Sequence, residues 1–223
     1  NVFDFATPAP GIDETNRDLR GEIGLAPGQR LFLQPTRVVP RKGIELAIDL
    51  LAELGDERNV LVITHQAGDE GRVYLDRLRE HAAARKVDMR YVAERIAERR
   101  GMREGRKVYS LWDAYPHADF VTYPSLYEGF GNALIECVYF RKPALVNRYS
   151  VYAADIAPCG FAFVECDGRV GPEQARAVAR LLDDPDERRR VCEAHWKLGA
   201  EHFSYRALRR LLVVELRAVG LSG

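Results

Sequence analysis

The chain has 223 residues, of which 47% are hydrophobic and 30% charged, an ordinary globular composition that allows a full core. Basic and acidic residues number 33 each, so no net charge favours nucleic acid or a membrane surface as a partner. No apolar run reaches the roughly 18 residues of a membrane span, and no signal-peptide pattern opens the chain. The four cysteines form no C-x-x-C pair, which favours buried thiols and a reducing, cytoplasmic location over zinc or disulfides.

From residue 31 onward, short apolar runs alternate with amphipathic stretches. The predicted strands are 31–36, 60–64, 88–92, 120–123, 144–147 and 161–164. The predicted helices are 44–54, 69–85, 108–117, 131–141, 172–182, 186–202 and 204–219, the last with Ser204 as its N-cap. Strands that are apolar on both faces predict an α/β fold, a doubly wound, mostly parallel six-stranded sheet with helices on both faces. In such a sheet ligands bind beyond the carboxyl ends of the strands.

Two segments do not follow the alternation of strands and helices. Residues 1–28 are rich in Pro, Gly, Asp and Thr, and are predicted to be a hinge or linker with one short helix near 14–23. Residues 93–107 are dense in charge and are interpreted as a solvated excursion. The alternative for 93–107 is a surface that shapes an acceptor site or an oligomer contact.

The loop after the first predicted strand, TRVVPRKG, carries three cations, Arg37, Arg41 and Lys42. It leads into a helix, and the free N–H groups and partial positive charge of a helix start suit a phosphate or diphosphate. Taken alone, the pattern is also satisfied by solvated loop charges.

The segment from Tyr123 to Glu136, YPSLYEGFGNALIE, is more specific. Gly129 and Gly131 lack a Cβ and let the backbone approach a ligand closely. Asn132 and Glu136 are four residues apart and share one helix face. Carboxylates accept hydrogen bonds from sugar hydroxyls and free N–H groups bind anionic oxygens, so the segment fits a sugar joined to a phosphate. The alternative is a glycine-rich turn with an Asn cap and two exposed glutamates.

These residues resemble glycosyltransferase family 4, whose members have the GT-B fold. PSLYEGFGNALIE is similar to the family's Glu-x7-Glu motif, TRVVPRKG to its Arg and Lys-Gly motif, and NVFDFATP to the hinge between its two lobes. The likeness in order and spacing covers roughly residues 31–182. It implies retaining transfer of a hexose, glucose or mannose, from a UDP- or GDP-linked donor, with no metal and no separate cofactor.

The resemblance also implies a role for each matching residue. Arg37 and Lys42 would hold the donor diphosphate, Glu128 would contact the donor sugar, and Glu136 would accept from the ribose hydroxyls. Main-chain N–H groups would bind sugar or phosphate oxygens at Gly129, Phe130, Gly131 and Asn132, and main-chain groups after Val92 would hold the base. His65 departs from the family's glycine-containing turn and is interpreted as a structural loop histidine rather than a donor contact.

The family's acceptor site belongs to an N-terminal lobe that this chain lacks, and the first residue, Asn1, suggests missing upstream residues. The expected division is hinge 1–28, nucleotide-sugar-binding domain 29–203 and a helix 204–223 that packs on that lobe. That helix would offer the lobe an apolar surface of Leu208, Leu211, Leu212 and Val214. The nucleotide sugar and that lobe are therefore the expected partners, with peripheral membrane association through the lobe left open. The isolated chain is expected to bind donor without transferring sugar.

The sequence pattern leaves other functions open. A GT-B phosphorylase or an NDP-sugar epimerase keeps the fold and changes the reaction, and a non-catalytic doubly wound scaffold keeps only the fold. A dinucleotide-binding domain fits poorly, because the first strand leads into TRVVPRKG and not into G-x-G-x-x-G.

Overall fold

The computed structural model describes residues 1–218, with side chains except at 69, 70 and 214–218. Its strands are β1 Arg30–Gln34, β2 Asn59–Ile63, β3 Asp88–Tyr91, β4 Ile96–Ala97, β5 Gly101–Arg103, β6 Arg106–Ser110, β7 Phe120–Tyr123, β8 Ala144–Asn147 and β9 Val164–Cys166. Six of them form one sheet in the order β3-β2-β1-β7-β8-β9, with every neighbouring pair parallel. The predicted six-stranded parallel sheet is confirmed.

The α-helices are α1 Leu19–Glu22, α2 Ile44–Leu54, α3 Asp69–Ala84, α4 Leu111–His117, α5 Asn132–Tyr139, α6 Pro172–Asp183, α7 Pro185–His202 and α8 Tyr205–Ala218. Alternate residues of the four central strands, β2, β1, β7 and β8, enter two hydrophobic cores, as Leu31 and Phe32 of β1 illustrate. One core is covered by α2, α3 and α6, and the other by α4 and α5. Helices therefore cover both faces of the sheet. Within the described part of the chain, no helix is long and apolar enough to cross a membrane.

Two predicted element boundaries are wrong. The helix expected from residue 108 begins at Leu111, because residues 108–110 belong to β6. The last strand, expected at 161–164, lies at Val164–Cys166. Phe161 and Phe163 precede it and stack on each other at 5.3 Å beside His195 of α7. A short apolar run does not show by itself which of its residues pair with a neighbouring strand.

The N-terminal segment and the start of α8 pack onto this domain. Phe5, Leu19 and Ile23 are buried in the core that α4 and α5 cover. The Phe3 N–H donates to the Phe203 carbonyl at 2.8 Å, so the first residues lie beside the start of α8. Ser204 caps α8, since its Oγ accepts from the Ala207 N–H at 3.1 Å. The proposed division into hinge, domain and C-terminal helix stays a prediction.

One side of α8 is apolar and open to solvent. Leu208, Leu211 and Leu212 are exposed there, as a helix that packs on another lobe requires. The side chain of Val214, also expected on that surface, lies outside the described residues. The four cysteines are free, and three of them are buried, in agreement with the prediction of thiols.

Residues 93–107 form an excursion that is mostly exposed and has regular structure. They contribute β4, β5 and the first residues of β6 to a second, three-stranded sheet. Residues 101–106 are exposed, but ion pairs tie the segment to the first 28 residues. Arg100 contacts Asp13 at 2.8 Å, and Lys107 contacts Asp18 at 2.7 Å.

Asp113 of α4 anchors this second sheet. Its buried carboxylate accepts from Arg100 Nε at 2.9 Å, from Asn16 Nδ2 at 3.0 Å and from the Ser110 N–H and Oγ, each at 2.8 Å. Burial acts to raise the pKa of Asp113, but the hydrogen bonds, that of Arg100 foremost, outweigh it, and the pKa lies below its ordinary value. Asp113 therefore stabilises the fold as a carboxylate.

We expect Asp113→Asn to lower the free energy of unfolding by roughly 2–3 kcal/mol at pH 7, the range for hydrogen bonds to a charged group. The folded-state pKa lies below 3.8, the ordinary value, so this contribution is complete above pH 3.8 and is lost as the pH falls through the folded pKa. The difference from the parent should shrink below that pH in urea unfolding curves. Asp76→Asn, at an exposed pair with Arg79, is the control and should change little. Equal stability of Asp113→Asn and parent at pH 7 would contradict this assignment.

Candidate functional site

Two loops meet at the carboxyl edge of the sheet, where β1 and β7 are neighbours. We call residues 35–43 the β1 loop and residues 124–131 the β7 loop. The Leu126 N–H donates to the Arg41 carbonyl at 2.8 Å and joins them. Gly43 has φ +57°, and a Cβ there would lie 2.5 Å from the Pro124 carbonyl oxygen. Only glycine permits this approach, so the Lys-Gly pair of the sequence motif sets the spacing of the loops.

A buried ion pair joins the same two loops. Lys42 is 8% and Glu128 9% exposed, and Lys42 Nζ donates to Glu128 Oε1. Arg41 donates to Glu128 Oε2 and to the Tyr127 carbonyl, each at 3.1 Å. Burial lowers the pKa of Lys42 in spite of the pairing with Glu128. Burial acts to raise the pKa of Glu128, but hydrogen bonding to Lys42 and its neighbours outweighs it, and that pKa is lowered. Glu128 is therefore ionised at neutral pH.

A cleft of about 800 Å³ opens beside the β1 loop. Its lining comes from the β1 loop, the end of β2, the 93–107 segment and the start of α4, and includes Arg37, His65, Arg103, Ile96, Ala97 and Trp112. Arg37 is exposed, and among the described side chains, which leave out those of residues 69, 70 and 214–218, its guanidinium forms no ion pair. It brings positive charge to the lining of the cleft.

His65 stands beside the cations of the cleft. Burial is the main cause that lowers its pKa, and the charges of Lys42 and Arg37 lower it further, so His65 is neutral at pH 7. Its Nδ1 lies 3.2 Å from Thr64 Oγ1. A neutral ring next to two cations adds no charge to the site.

Glu136 belongs to a different hydrogen-bonding group from Glu128. Its Oε1 accepts from Trp112 Nε1 at 3.3 Å and its Oε2 from the Tyr115 hydroxyl at 2.8 Å. Burial raises the pKa of Glu136. The sequence motif predicts two carboxylates around one volume, whereas the structure places Glu128 with Lys42 and Glu136 with an aromatic pair. Sequence reasoning missed Trp112, for which a tryptophan at a helix start after a charged segment was the available signal.

The glycine-rich turn before α5 presents main chain rather than side chains. Within residues 1–218, the N–H groups of residues 129–132 donate to no backbone carbonyl. Gly131 has φ +123°, and a Cβ there would lie 2.3 Å from the Tyr149 hydroxyl, which donates to the Phe130 carbonyl. The Phe130 ring packs on Phe203 at 5.5 Å. Asn132 Oδ1 accepts from Asn1 at 2.5 Å. Free N–H groups at a helix start form a place for anionic oxygens.

Val92 itself is buried, and its main-chain groups are in use. Its N–H donates to the Ile63 carbonyl at 2.9 Å, and its carbonyl accepts from the Arg95 N–H at 2.8 Å. The part of this segment that reaches the cleft is Ile96–Ala97. The assignment of the base to main chain after Val92 stays a prediction, with Ile96 and Ala97 as the residues placed to fulfil it.

Comparison with known proteins bears on this geometry. Residues 15–197 match the family model of glycosyl transferases group 1. The chain belongs to this family. It is 33% identical to the mannosylglucosylglycerate synthase of Thermotoga maritima over 97% of this chain and 55% of that protein. The chain spans about half the length of the curated relatives that it matches.

Solved structures show the same fold. Anabaena HepE in complex with UDP-glucose matches 98% of this chain and 56% of that chain at a TM-score of 0.74 and 16% identity. The C-terminal domain of the group 1 protein LpcC from Francisella tularensis matches 91% of this chain and 99% of that one, at a TM-score of 0.67 and 14% identity. A domain of nearly this extent has therefore been crystallised by itself. The GT-B resemblance is confirmed, with the described chain as its C-terminal domain.

Gly43→Ala should destabilise the protein more than Gly55→Ala. Both glycines flank α2 with nearly equal angles, φ +57° and +60°, but a Cβ at Gly55 meets nothing within 4 Å. Gly55→Ala should cost about 1–2 kcal/mol, the penalty of a left-handed backbone. Gly43→Ala adds the clash with Pro124 and should cost at least ~1 kcal/mol more, as measured by urea unfolding. Equal losses in the two variants would show that the loops separate freely.

Proposed function

We propose that this domain is the donor-binding half of a retaining hexosyltransferase. The observation that carries the proposal is that the β1 loop, with its cations, is joined to the β7 loop at the carboxyl edge of the sheet by the Lys42–Glu128 pair and the Leu126–Arg41 hydrogen bond. Cations, helix-start N–H groups and carboxylates at one edge of the sheet suit a diphosphate linked to sugars. Family membership supports transfer of a glycosyl group as the reaction.

In the proposed complex, the charges of Arg37 and Lys42 hold the diphosphate and neutralise the charge that grows on the leaving nucleotide. Preorganised cations at a site of developing charge stabilise a transition state without a metal ion. The N–H groups of residues 129–132 donate hydrogen bonds to further sugar or phosphate oxygens of the donor. Glu128 contacts the donor sugar, and Glu136 accepts from the ribose hydroxyls, while the main chain near Ile96 and Ala97 meets the base.

We infer mannose as the transferred sugar and a glucosylglycerate-like molecule as the acceptor. The similarity to mannosylglucosylglycerate synthase over 97% of the chain supports both. The acceptor would bind to the N-terminal lobe of the whole protein, in the cytoplasm. The anomeric configuration of the product, read by NMR of the whole protein's reaction, tests retention directly.

The first test is calorimetry with UDP, GDP, UDP-glucose and GDP-mannose, without and with Mg²⁺. We expect one base to bind in preference, with an affinity that Mg²⁺ leaves unchanged. Lys42→Met should weaken that binding about 10- to 100-fold, since it removes one charge-assisted contact. Lys197→Met, at an exposed lysine of α7, is the control and should bind as the parent does.

If neither the chain nor the whole protein binds any of the four ligands, the proposed function is wrong. If the whole protein binds and Lys42→Met binds equally well, the diphosphate lies elsewhere.

Glu128→Gln should have opposite effects on binding and on transfer. Glu128 forms an ion pair with Lys42. When the charge of Glu128 is removed, the Lys42 ammonium can pair with the diphosphate alone. We expect the affinity for UDP or GDP without a sugar to rise about 3- to 10-fold, as one partly screened charge allows. Transfer by the whole protein should fall, because the contact with the donor sugar is lost. Glu193→Gln, at an exposed pair with Arg141, is the control for a lost carboxylate. Weaker diphosphate binding by Glu128→Gln would refute a competing role for Glu128.

A further inference from the structure

Trp112, the second residue of α4, lies between the core and the cleft. Its ring packs on Tyr139 at 5.6 Å and on Phe140 at 5.5 Å. It is nevertheless 38% exposed, and the exposed part lines the cleft. The core contacts fix the ring, so the indole presents a held aromatic surface to a ligand. A rigid aromatic surface loses little conformational entropy on binding.

The indole N–H of the same ring donates a hydrogen bond to Glu136. Trp112 Nε1 donates to Glu136 Oε1 at 3.3 Å, and the Tyr115 hydroxyl donates to Oε2 at 2.8 Å. Each carboxylate oxygen can accept more than one hydrogen bond. Glu136 is therefore held in one orientation and still has lone pairs for a hydroxyl-bearing ligand.

The lining of the cleft is chemically divided. Arg37 and Arg103 bring positive charge to it against one carboxylate, Glu98, and Ile96, Ala97 and Leu111 join Trp112 in an apolar group. A ligand that fits both has an anionic part and a flat, weakly polar part. Nucleoside diphosphates have this composition, and bases stack on aromatic side chains with about 1–3 kcal/mol per base.

We propose that Trp112 recognises the nucleoside of the donor in two ways. Its exposed face packs on the nucleobase, and its Nε1–H positions Glu136 for the ribose hydroxyls. Trp112 is thus a binding residue for the base and a positioning residue for the ribose. The inference rests on the proposed function and assigns the residue that holds the nucleoside.

The chain offers a direct readout of this contact. It contains two tryptophans, and the second, Trp196, packs on Phe5 and Arg141, away from the residues that line the cleft. In Trp196→Phe, Trp112 is the sole tryptophan. We expect UDP or GDP to change its emission saturably, with the same dissociation constant that calorimetry gives. Inorganic pyrophosphate, which lacks base and ribose, should bind without this change.

Two substitutions separate the ring from its N–H. Trp112→Phe keeps an aromatic ring against Tyr139 and Phe140 and should weaken nucleoside diphosphate binding about 3- to 10-fold, the loss of one hydrogen bond in the array. Trp112→Leu removes both contributions and should weaken it about 10- to 100-fold. Both variants should bind pyrophosphate within about twofold of the parent. Urea unfolding of each variant identifies any loss of fold.

The outcomes are distinct. If the parent binds nucleotide while the emission of Trp112 stays constant and Trp112→Leu binds as the parent does, the inference is overturned and the proposed function stands. Equal losses of pyrophosphate and nucleotide affinity in a folded variant also overturn it, because they show a general effect on the site. If neither the chain nor the whole protein binds nucleotide, the proposed function fails and this inference fails with it.

Discussion

The buried ion pair between Lys42 and Glu128 is the constraint on which the site depends. Removing two charges from water is costly, and their attraction compensates only when the geometry is good and further hydrogen bonds are present. Arg41 supplies such a bond to the second oxygen of Glu128. The ion pair also requires glycine at position 43, since any side chain there would clash with the Pro124 carbonyl oxygen. The two loops are therefore held together before any ligand arrives.

In the proposed complex, a chain without net charge binds an anion through local charges. Basic and acidic residues balance at 33 each, so the attraction has to be local. Arg37 lines the cleft, while Lys42 is already neutralised by Glu128. A bound diphosphate would therefore share Lys42 with the Glu128 carboxylate. That carboxylate orders the lysine side chain and limits its attraction for other anions.

Much of the fold could be predicted from the sequence, because its signals are local. Apolar runs such as 60–64 and the glycines of EGFG depend on residues within one element, and they lie where expected. What was missed depends on distant partners. Arg100 pairs with Asp13, which lies 87 positions away in the sequence. The charge content of residues 93–107 alone therefore could not predict that they form strands. Glu136 and Trp112 are 24 positions apart, and only the packing of α4 on α5 joins them. The motif located both glutamates but could not show that they have separate partners.

The N-terminal segment contacts the surroundings of the proposed donor site at more than one place. Phe3 pairs with Ser204, so the segment that resembles the hinge lies beside the start of the helix with the exposed leucines. Asn1 in turn contacts Asn132, the first residue of α5 in the glycine-rich turn. Residues 93–107, which contribute Ile96 and Ala97 to the lining of the cleft, are tied to the same N-terminal segment through Asp13 and Asp18. The N-terminal segment therefore contacts both the turn that is proposed to bind the diphosphate and the segment that is proposed to meet the base. If the whole protein has the proposed second lobe, a movement of this segment would displace groups of both, which gives lobe closure a physical route to donor binding.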